Sequence, residues 1–207
     1  DIDGGAGNDN ISGGADADIL KGNTGDDIIY GGAGADNING GAGVDILYGD
    51  EKVNYFTSSS DAATVLAGDI VEYNNGTTTV YYQAQKTLEN FVFTSETWAT
   101  PVAANWVVYD ATTANDYIDG GADDDSIYGG VGDDTLVGNT GDDKLYGGFG
   151  NDTVDYSAQS KKVSVNLVSH IAIGEGSGND NLFDIENITG GSSNDELIGN
   201  ESNNIIK

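Results

Sequence analysis

A nine-residue motif repeats along this 207-residue chain and constrains its fold more than any other feature. From Gly4 the chain divides into five consecutive units: GGAGNDNIS, GGADADILK, GNTGDDIIY, GGAGADNIN and GGAGVDILY. The pattern stops at Tyr48 and returns from Gly120 to Asp155 as GGADDDSIY, GGVGDDTLV, GNTGDDKLY and GGFGNDTVD. All nine units have Asp at their sixth position and Ile, Leu or Val at their eighth. Chance does not produce nine such units, so the chain is a repeat protein.

The residue types that recur in the unit each have a chemical explanation. Glycines at the first, second and fourth positions allow positive φ angles and let carbonyl oxygens approach one another. The Asp at the sixth position adds carboxylate oxygens, and calcium prefers about six to eight such hard oxygen ligands. The eighth-position side chains are expected to point inward as a thin stacked core: Ile11, Leu20, Ile29, Ile38, Leu47, Ile127, Leu136, Leu145 and Val154.

The charge of the chain favours a cationic partner. Asp and Glu total 35 against 7 Lys and Arg, which gives a formal net charge of −28. Self-repulsion of this size opposes a compact state, and low hydrophobicity with high net charge otherwise favours disorder. The acidity excludes nucleic-acid binding by phosphate neutralisation. No apolar run approaches the roughly 18 residues of a membrane-spanning segment, and without cysteine there is no disulfide or zinc–thiolate site.

In the motif G-G-x-G-x-D-x-U-x the repeats resemble the RTX, or haemolysin-type calcium-binding repeat, family. The resemblance covers residues 1–155 and extends more loosely to the end of the chain. It implies an all-β fold, a parallel β-roll or β-solenoid in which two nonapeptides make one coil. It also implies one calcium ion between repeats n and n+2, and export in an unfolded state by type I secretion.

The sequence and this resemblance together predict calcium ligands from two sets of residues. The first set contains the sixth-position carboxylates and two later candidates: Asp9, Asp18, Asp27, Asp36, Asp45, Asp116, Asp125, Asp134, Asp143, Asp152, Asp180 and Asp195. The second contains glycines of the second and fourth positions: Gly5, Gly7, Gly14, Gly25, Gly32, Gly34, Gly41, Gly43, Gly121, Gly130, Gly132, Gly141, Gly148 and Gly150. Most acids at the fifth position are expected to be merely solvated: Asp26, Asp124, Asp133 and Asp142.

About 70 residues of different composition separate the two blocks of repeats. Both edges look like halves of one nonapeptide, because Gly49-Asp50 fits positions one and two and residues 115–119 fit positions five to nine. We therefore predict that residues 1–50 and 115–155 form one continuous β-roll and that residues 51–114 are inserted into the turn of its sixth repeat. Ten continuous repeats contain eight n/n+2 pairs, so about eight or more calcium ions are expected.

The ninth position of the repeat gives an independent indication of this phase. With the split unit counted as one repeat, Tyr occupies position nine of repeats three, five, seven and nine: Tyr30, Tyr48, Tyr128 and Tyr146. All four repeats are odd-numbered, so the tyrosines are predicted to form a ladder on one face through cross-strand aromatic contacts. A ligand platform is the alternative role for this ladder.

The inserted residues 51–114 predict a small antiparallel β-domain. Alternating or apolar runs favour strands at 69–73, 79–83, 91–93 and 106–109, with the turn signal Asn74-Asn75-Gly76 between the first two. The stretch AGDIVEYNNG, followed by VYYQAQ, Pro101 and NWVV, is similar to small chitin-binding modules of secreted enzymes. The resemblance implies a sugar-stacking face, for which Trp98 and Tyr82 are the candidates, whereas Trp106 is expected in the core.

Repeat character returns in degraded form after Asp155. Residues 175–183 keep Asp180 at the sixth position and GGSSNDELI keeps Asp195, whereas the last unit has Asn204 where Asp is expected. The resemblance to RTX repeats implies that residues 156–207 continue the parallel β-solenoid in degenerate form. Both ends of the chain fall inside the repeat pattern, so we expect a fragment of a longer protein.

No set of residues in the sequence predicts catalysis. The single histidine, His170, has no nucleophile or metal-ligand partner at a meaningful spacing and is expected to be an ordinary strand residue. We expect a calcium-dependent structural module of a large secreted or cell-surface protein, such as an adhesin, surface-layer or filament component, whose partners are calcium and neighbouring copies or other parts of that protein. Two alternatives stay open: a glycan- or peptide-binding adhesion module acting through residues 51–114, and the C-terminal repeat region of an exported enzyme or toxin.

Overall fold

The computed structural model describes residues 1–50 and 115–207, and the backbone of short strands between them. It divides into two compact units, Asp1–Glu51 with Thr112–Lys207, and Lys52–Ala111. The described residues form strands and turns without a helix. Accordingly, these parts of the chain contain no helix that could cross a membrane.

The first unit contains sixteen of the described strands. Those before residue 51 are β1 (Ile2–Ala6), β2 (Asn10–Ala15), β3 (Ile19–Thr24), β4 (Ile28–Ala33), β5 (Asn37–Ala42) and β6 (Ile46–Asp50). The second unit contributes β7 (Tyr55–Thr57), β8 (Ala63–Val65), β9 (Ile70–Asn74), β10 (Thr79–Ala84), β11 (Leu88–Phe91) and β12 (Trp106–Tyr109). The first unit then continues with β13 (Tyr117–Ala122), β14 (Ser126–Val131), β15 (Thr135–Thr140), β16 (Lys144–Phe149), β17 (Thr153–Asp155), β18 (Val163–Asn166), β19 (Ile171–Gly174), β20 (Gly178–Phe183), β21 (Asn187–Thr189) and β22 (Glu196–Ile198).

Alternate repeats of the first unit enter two different sheets. One sheet has the order β1-β3-β5-β13-β15-β17-β21, and the other begins β2-β4-β6-β14-β16-β20. Pairing within these runs is parallel, and Leu20 lies beside Ile38 in one sheet as Ile11 lies beside Ile29 in the other. Two nonapeptides therefore make one coil of a parallel β-roll.

The two blocks of repeats share these sheets without a break. Ile38 of β5 pairs with Ile118 of β13, and Leu47 of β6 pairs with Ile127 of β14. Both pairs are parallel and keep the register of the pairs on either side. The fourth repeat thus pairs directly with the sixth, and the fifth repeat with the seventh.

The core of the roll is the stack of eighth-position side chains. Ile11 is 5% exposed, and the remaining members of the set predicted from the repeat are fully buried. Ile118, from the split sixth repeat, joins them at 0% exposure. Because this core is only one side chain wide in each strand, turn chemistry has to stabilise much of the roll.

The C-terminal segment, residues 156–207, does not continue as a purely parallel solenoid. Strands β18 and β19 pair antiparallel, and β19 also pairs antiparallel with β20, before β22 returns parallel to β18. This excursion separates Leu182 of β20 from its partner Leu145 by 37 residues, where a regular coil uses 18. Residues 156–173 contain no glycine, so they lack the turns that would continue the coil.

The second unit contains a four-stranded sheet in the order β12-β10-β9-β7 and a two-stranded sheet of β8 and β11. The pairs β9–β10, β10–β12 and β8–β11 are antiparallel, as predicted for a small antiparallel domain. Strand β7 differs, because it pairs parallel with β9.

Candidate calcium sites

The sixth-position aspartates form two ladders along the turns of the roll. In each step the backbone N–H of one Asp donates a hydrogen bond to Oδ1 of the Asp in repeat n+2. Asp27 N–H, for example, donates to Asp45 Oδ1 at 2.8 Å. The same bond spans the interruption, where Asp45 N–H donates to Asp125 Oδ1 at 2.8 Å across 80 residues. The ladders bring together all ten sixth-position aspartates predicted from the repeats.

The second carboxylate oxygen of these residues is the unusual feature of the site. Oδ2 is buried and accepts no hydrogen bond in Asp9, Asp18, Asp27, Asp36, Asp45, Asp125, Asp143 and Asp152. Buried polar atoms are almost always hydrogen-bonded, because leaving one unpaired costs about 1–3 kcal/mol, and more if it is charged. A repeated row of such atoms is a row of oxygens that requires a cation or a proton.

First-position glycines keep space open beside these oxygens. A β-carbon at Gly22 would collide with Oδ2 of Asp27 in its own repeat and with the carbonyl oxygen of Gly40 in repeat n+2. A β-carbon at Gly129 would likewise lie 2.5 Å from both Asp134 Oδ2 and the Gly147 carbonyl oxygen. At both of these steps a carboxylate oxygen and a carbonyl oxygen thus lie around one small space.

The second and fourth positions turn the backbone as predicted, whereas the first-position glycines do not take the positive φ angles expected of them. All fourteen glycines assigned from the repeat have positive φ, between 99° and 153°. Where glycine is replaced, the left-handed conformation remains: Asn23 and Asn139 at the second position have φ of 78° and 69°, and Asp16 and Asp123 at the fourth have 73° and 79°. These four residues were missed as turn formers because the pattern was read through glycine alone. Asn and Asp tolerate this conformation best after glycine.

Electrostatics agrees with the need for a cation. Burial raises the pKa of Asp125 to about 8; the hydrogen bond from Asp45 lowers it, and the charges of Asp45 and Asp143 raise it further. Burial also raises the pKa of Asp152 to about 8 and that of Asp45 to about 6. A free carboxyl group titrates near 3.8, so the metal-free fold disfavours the charged carboxylates and a nearby cation would restore them.

These residues fit calcium better than a softer metal. Among the described residues no three His, Cys, Asp or Glu side chains gather as a metal cluster, so carbonyl oxygens have to complete the coordination. Carboxylates combined with backbone carbonyls are the donor set that calcium prefers. The ladder aspartates and the neighbouring glycine carbonyls would hold calcium, which would supply positive charge to the buried Oδ2 atoms.

The sequence suggested that the fifth-position acids are merely solvated, and this prediction was wrong. They are exposed, but each accepts a backbone N–H from a neighbouring coil: Val44 to Asp26, Asp142 to Asp124, Asn151 to Asp133 and Asn179 to Asp142. This second ladder runs in the opposite sense to the first, because the later repeat donates to the earlier one. Its members support the turns from outside.

The two predicted ligands of the C-terminal segment differ from the repeat aspartates. Asp180 Oδ1 accepts the Asp143 N–H at 3.2 Å, but its Oδ2 accepts the Tyr156 hydroxyl at 2.7 Å. Asp195 accepts the N–H groups of Val163 and Gly191. Asn204 donates its amide to the Glu186 carbonyl oxygen. The protein itself thus satisfies oxygens that stay unsatisfied in the regular repeats.

The predicted tyrosine ladder is present on the sheet that contains β4, β6, β14 and β16. Successive rings of Tyr30, Tyr48, Tyr128 and Tyr146 stack at 4.8–4.9 Å with interplanar angles of 2–13°. Phe183 extends the ladder at 4.7 Å from Tyr146, and the His170 ring follows at 6.0 Å from Phe183. His170 lies in a turn with φ of 59°, not in a strand. The rings cover one another's faces, which favours packing over a ligand platform.

The carbohydrate candidates cannot be placed in the same way. Tyr82 belongs to strand β10, of which the backbone alone is described, and Trp98 lies outside the described residues. Trp106 begins strand β12. The sugar-stacking role of Trp98 and Tyr82 and the core role of Trp106 therefore stay predictions.

Paired aspartates, glycine turns and a two-repeat coil define a calcium-binding parallel β-roll. In agreement with this class, the family model of the RTX calcium-binding nonapeptide repeat matches residues 1–29, 21–51, 108–136, 128–160 and 183–207. These matches span more than half of the chain, and the chain belongs to that family. No curated protein matches the chain as a relative.

Proposed function

We propose that this chain is a structural module of a large secreted or cell-surface protein, such as an adhesin, surface-layer or filament component, and that it folds when it meets extracellular calcium. The observation that carries the proposal is the row of buried Asp Oδ2 atoms that accept no hydrogen bond. Such a row destabilises the metal-free fold, and it provides oxygen ligands when calcium is present.

The mechanism is binding coupled to folding. Without calcium, a chain of net charge −28 repels itself, and the buried Oδ2 atoms of eight ladder aspartates accept no hydrogen bond in the fold. Extracellular calcium modules bind with dissociation constants of about 10⁻⁴–10⁻³ M. Because the sites exist only between stacked coils, the free energy of binding becomes free energy of folding. With about eight ions bound, the formal charge would fall to about −12.

The proposed role is structural, and we assign the module no catalytic activity. The ladder aspartates stack along the roll, where they form the calcium sites. Its proposed partners besides calcium are neighbouring copies or other parts of a longer surface protein. Export before folding follows from the same coupling, since the chain would stay unfolded wherever free calcium lies well below the range of its sites.

A calcium titration followed by far-ultraviolet circular dichroism tests the proposal. We expect most of the β signal to be lost with chelator at neutral pH and to return with millimolar calcium but not with magnesium, while native mass spectrometry counts about eight or more ions. Asp134→Asn, which alters the interior of a ladder, should raise the calcium midpoint more than Asp9→Asn at its edge. A chain equally folded in chelator would refute calcium-dependent folding.

A further inference from the structure

The last regular repeat lies beside a turn that does not follow the nonapeptide. Asp152 is fully buried, and its Oδ2 accepts no hydrogen bond. In the regular ladder its partner would be an Asp 18 residues later, but that position is His170. The strand beside β17 is instead β21, whose Asn187 pairs with Thr153 across 34 residues. The residues that complete this step therefore come from outside the repeat pattern.

The side chain opposite Asp152 is a glutamate. The Asp152 N–H donates to Glu186 Oε2 at 3.0 Å, as the Asp134 N–H donates to Asp152 Oδ1 at 2.9 Å one coil earlier. Glu186 immediately precedes β21, as the sixth-position Asp immediately precedes the strand of a regular repeat. Glu186 therefore occupies the place of the sixth-position Asp in the ladder.

The carbonyl oxygen opposite Asp152 is also supplied by a different residue. A β-carbon at Gly147 would collide with the Asp184 carbonyl oxygen and would lie 2.5 Å from Asp152 Oδ2. One coil earlier, at Gly129, the carbonyl oxygen in this place belongs to Gly147. Asp184 has a φ of 53° and so takes the left-handed conformation otherwise given to glycine, Asn and Asp in these turns.

We propose that Asp152 Oδ2, the Glu186 carboxylate and the Asp184 carbonyl oxygen form a further calcium site that closes the array. It rests on the calcium binding proposed above for the regular repeats and adds a step with a different ligand set. Two carboxylates and a backbone carbonyl are hard oxygen donors, and calcium accepts the variable geometry that a shortened turn provides. Asp152 Oδ2 is the buried atom of this set that accepts no hydrogen bond.

Native mass spectrometry at saturating calcium tests this site through the number of bound ions. Glu186→Gln keeps an oxygen acceptor for the Asp152 N–H but removes the negative charge, so this variant should bind one ion fewer than the unaltered chain. Glu201→Gln is the matched control, since Glu201 is an exposed acid of the same segment and its replacement changes the charge equally. The control should keep the full ion count.

Hydrogen exchange of strand β21 supplies a second readout if the ion count is ambiguous. Calcium should slow exchange at residues 187–189 in the unaltered chain and in Glu201→Gln, but at least several-fold less in Glu186→Gln. Equal ion counts and equal protection in both variants would overturn the closing site and leave the regular sites intact. Failure of the unaltered chain to bind any calcium would instead overturn the proposed function itself.

Discussion

The regular repeats and the C-terminal segment of the same unit differ in whether the Oδ2 atoms of their aspartates accept hydrogen bonds. In the repeats, Asp125 and Asp143 each keep a buried Oδ2 that accepts no hydrogen bond. In the C-terminal segment the Tyr156 hydroxyl donates to Asp180 Oδ2, and the Gly191 N–H donates to Asp195 Oδ2. The first region needs a cation to complete its turns, whereas the second completes them with its own donors.

The buried hydroxyl of Tyr156 is one donor that takes the place of a cation in the C-terminal segment. Burial raises the pKa of Tyr156 well above its ordinary value, and the charge of Asp180 and the hydrogen bond to it raise the pKa further. The hydroxyl therefore stays protonated and keeps donating. The C-terminal segment also pairs two acids with lysines: Lys161 Nζ lies 3.2 Å from Glu175 Oε1, and Lys162 Nζ lies 3.4 Å from Glu196 Oε2. We infer that residues 156–207 depend less on calcium for their folding than the repeats that precede them.

Removing calcium should produce the largest difference between the repeats and the C-terminal segment. In chelator, backbone amides of strands β13–β16 should lose their protection from hydrogen exchange, because their turns lose the cations that hold them. Amides of β18, β19 and β22 should exchange less than tenfold faster. Exchange measured by mass spectrometry with and without calcium checks this, and a uniform loss of protection would show that the two regions depend equally on the ion.

Acid should partly replace calcium in the repeats. The folded-state pKa values of Asp125 and Asp152, both about 8, lie above the ordinary value of 3.8. Groups with a raised folded pKa stabilise the fold fully below their unfolded pKa, and this stabilisation disappears as pH rises through the folded value. In chelator, the repeats should therefore be most stable near pH 4, and their melting temperature should fall until they unfold as the pH rises toward about 8.

With saturating calcium the same pH series should run the other way. Calcium binds deprotonated carboxylates, so protonation in acid competes with the ion and lowers the melting temperature. Thermal melts across the two series provide the comparison. The interpretation fails if chelated and calcium-loaded protein respond to pH with the same sign.

Tyr156→Phe should give a smaller, local effect. The substitution leaves Asp180 Oδ2 buried without its donor, at a cost of about 1–3 kcal/mol. The C-terminal segment should then resemble the repeats, with greater sensitivity to chelator in its hydrogen exchange. Tyr128→Phe is the matched control, because Tyr128 lies in the aromatic ladder and removing its hydroxyl retains the stacked ring. Equal behaviour of the two variants would argue against a special role for the Tyr156 hydroxyl.

The periodic parts of the molecule could be predicted from the sequence. The eighth-position core, the positive φ angles of the repeat glycines and the register of the tyrosines all follow from the nine-residue period. Each depends on a signal that recurs in many units. The continuous pairing of β6 with β14 could be deduced in the same way, since Tyr48 and Tyr128 share a phase.

The remainder could not be predicted, because it depends on contacts made once. Tyr156 meets Asp180 across 24 residues, and Asp152 meets Glu186 across 34. Glu186 follows Asp184 by two residues, whereas a sixth-position Asp follows the first-position Gly by five. No period relates these pairs, so they become visible only when the antiparallel excursion of β18 and β19 has been placed. The hydrogen bonds of the fifth-position acids were missed for a different reason, since exposure was taken to mean solvation alone.

The split sixth repeat gives the roll a property that an uninterrupted repeat would lack. A β-carbon at Gly49, before the insertion, would collide with Oδ2 of Asp116, after it. These two halves of one turn are separated by more than 60 residues of sequence, yet lengthening a loop costs only about 0.6 kcal/mol per doubling. Closing this turn would hold both ends of the inserted segment side by side. A different domain could therefore be inserted at this turn while the roll keeps its register.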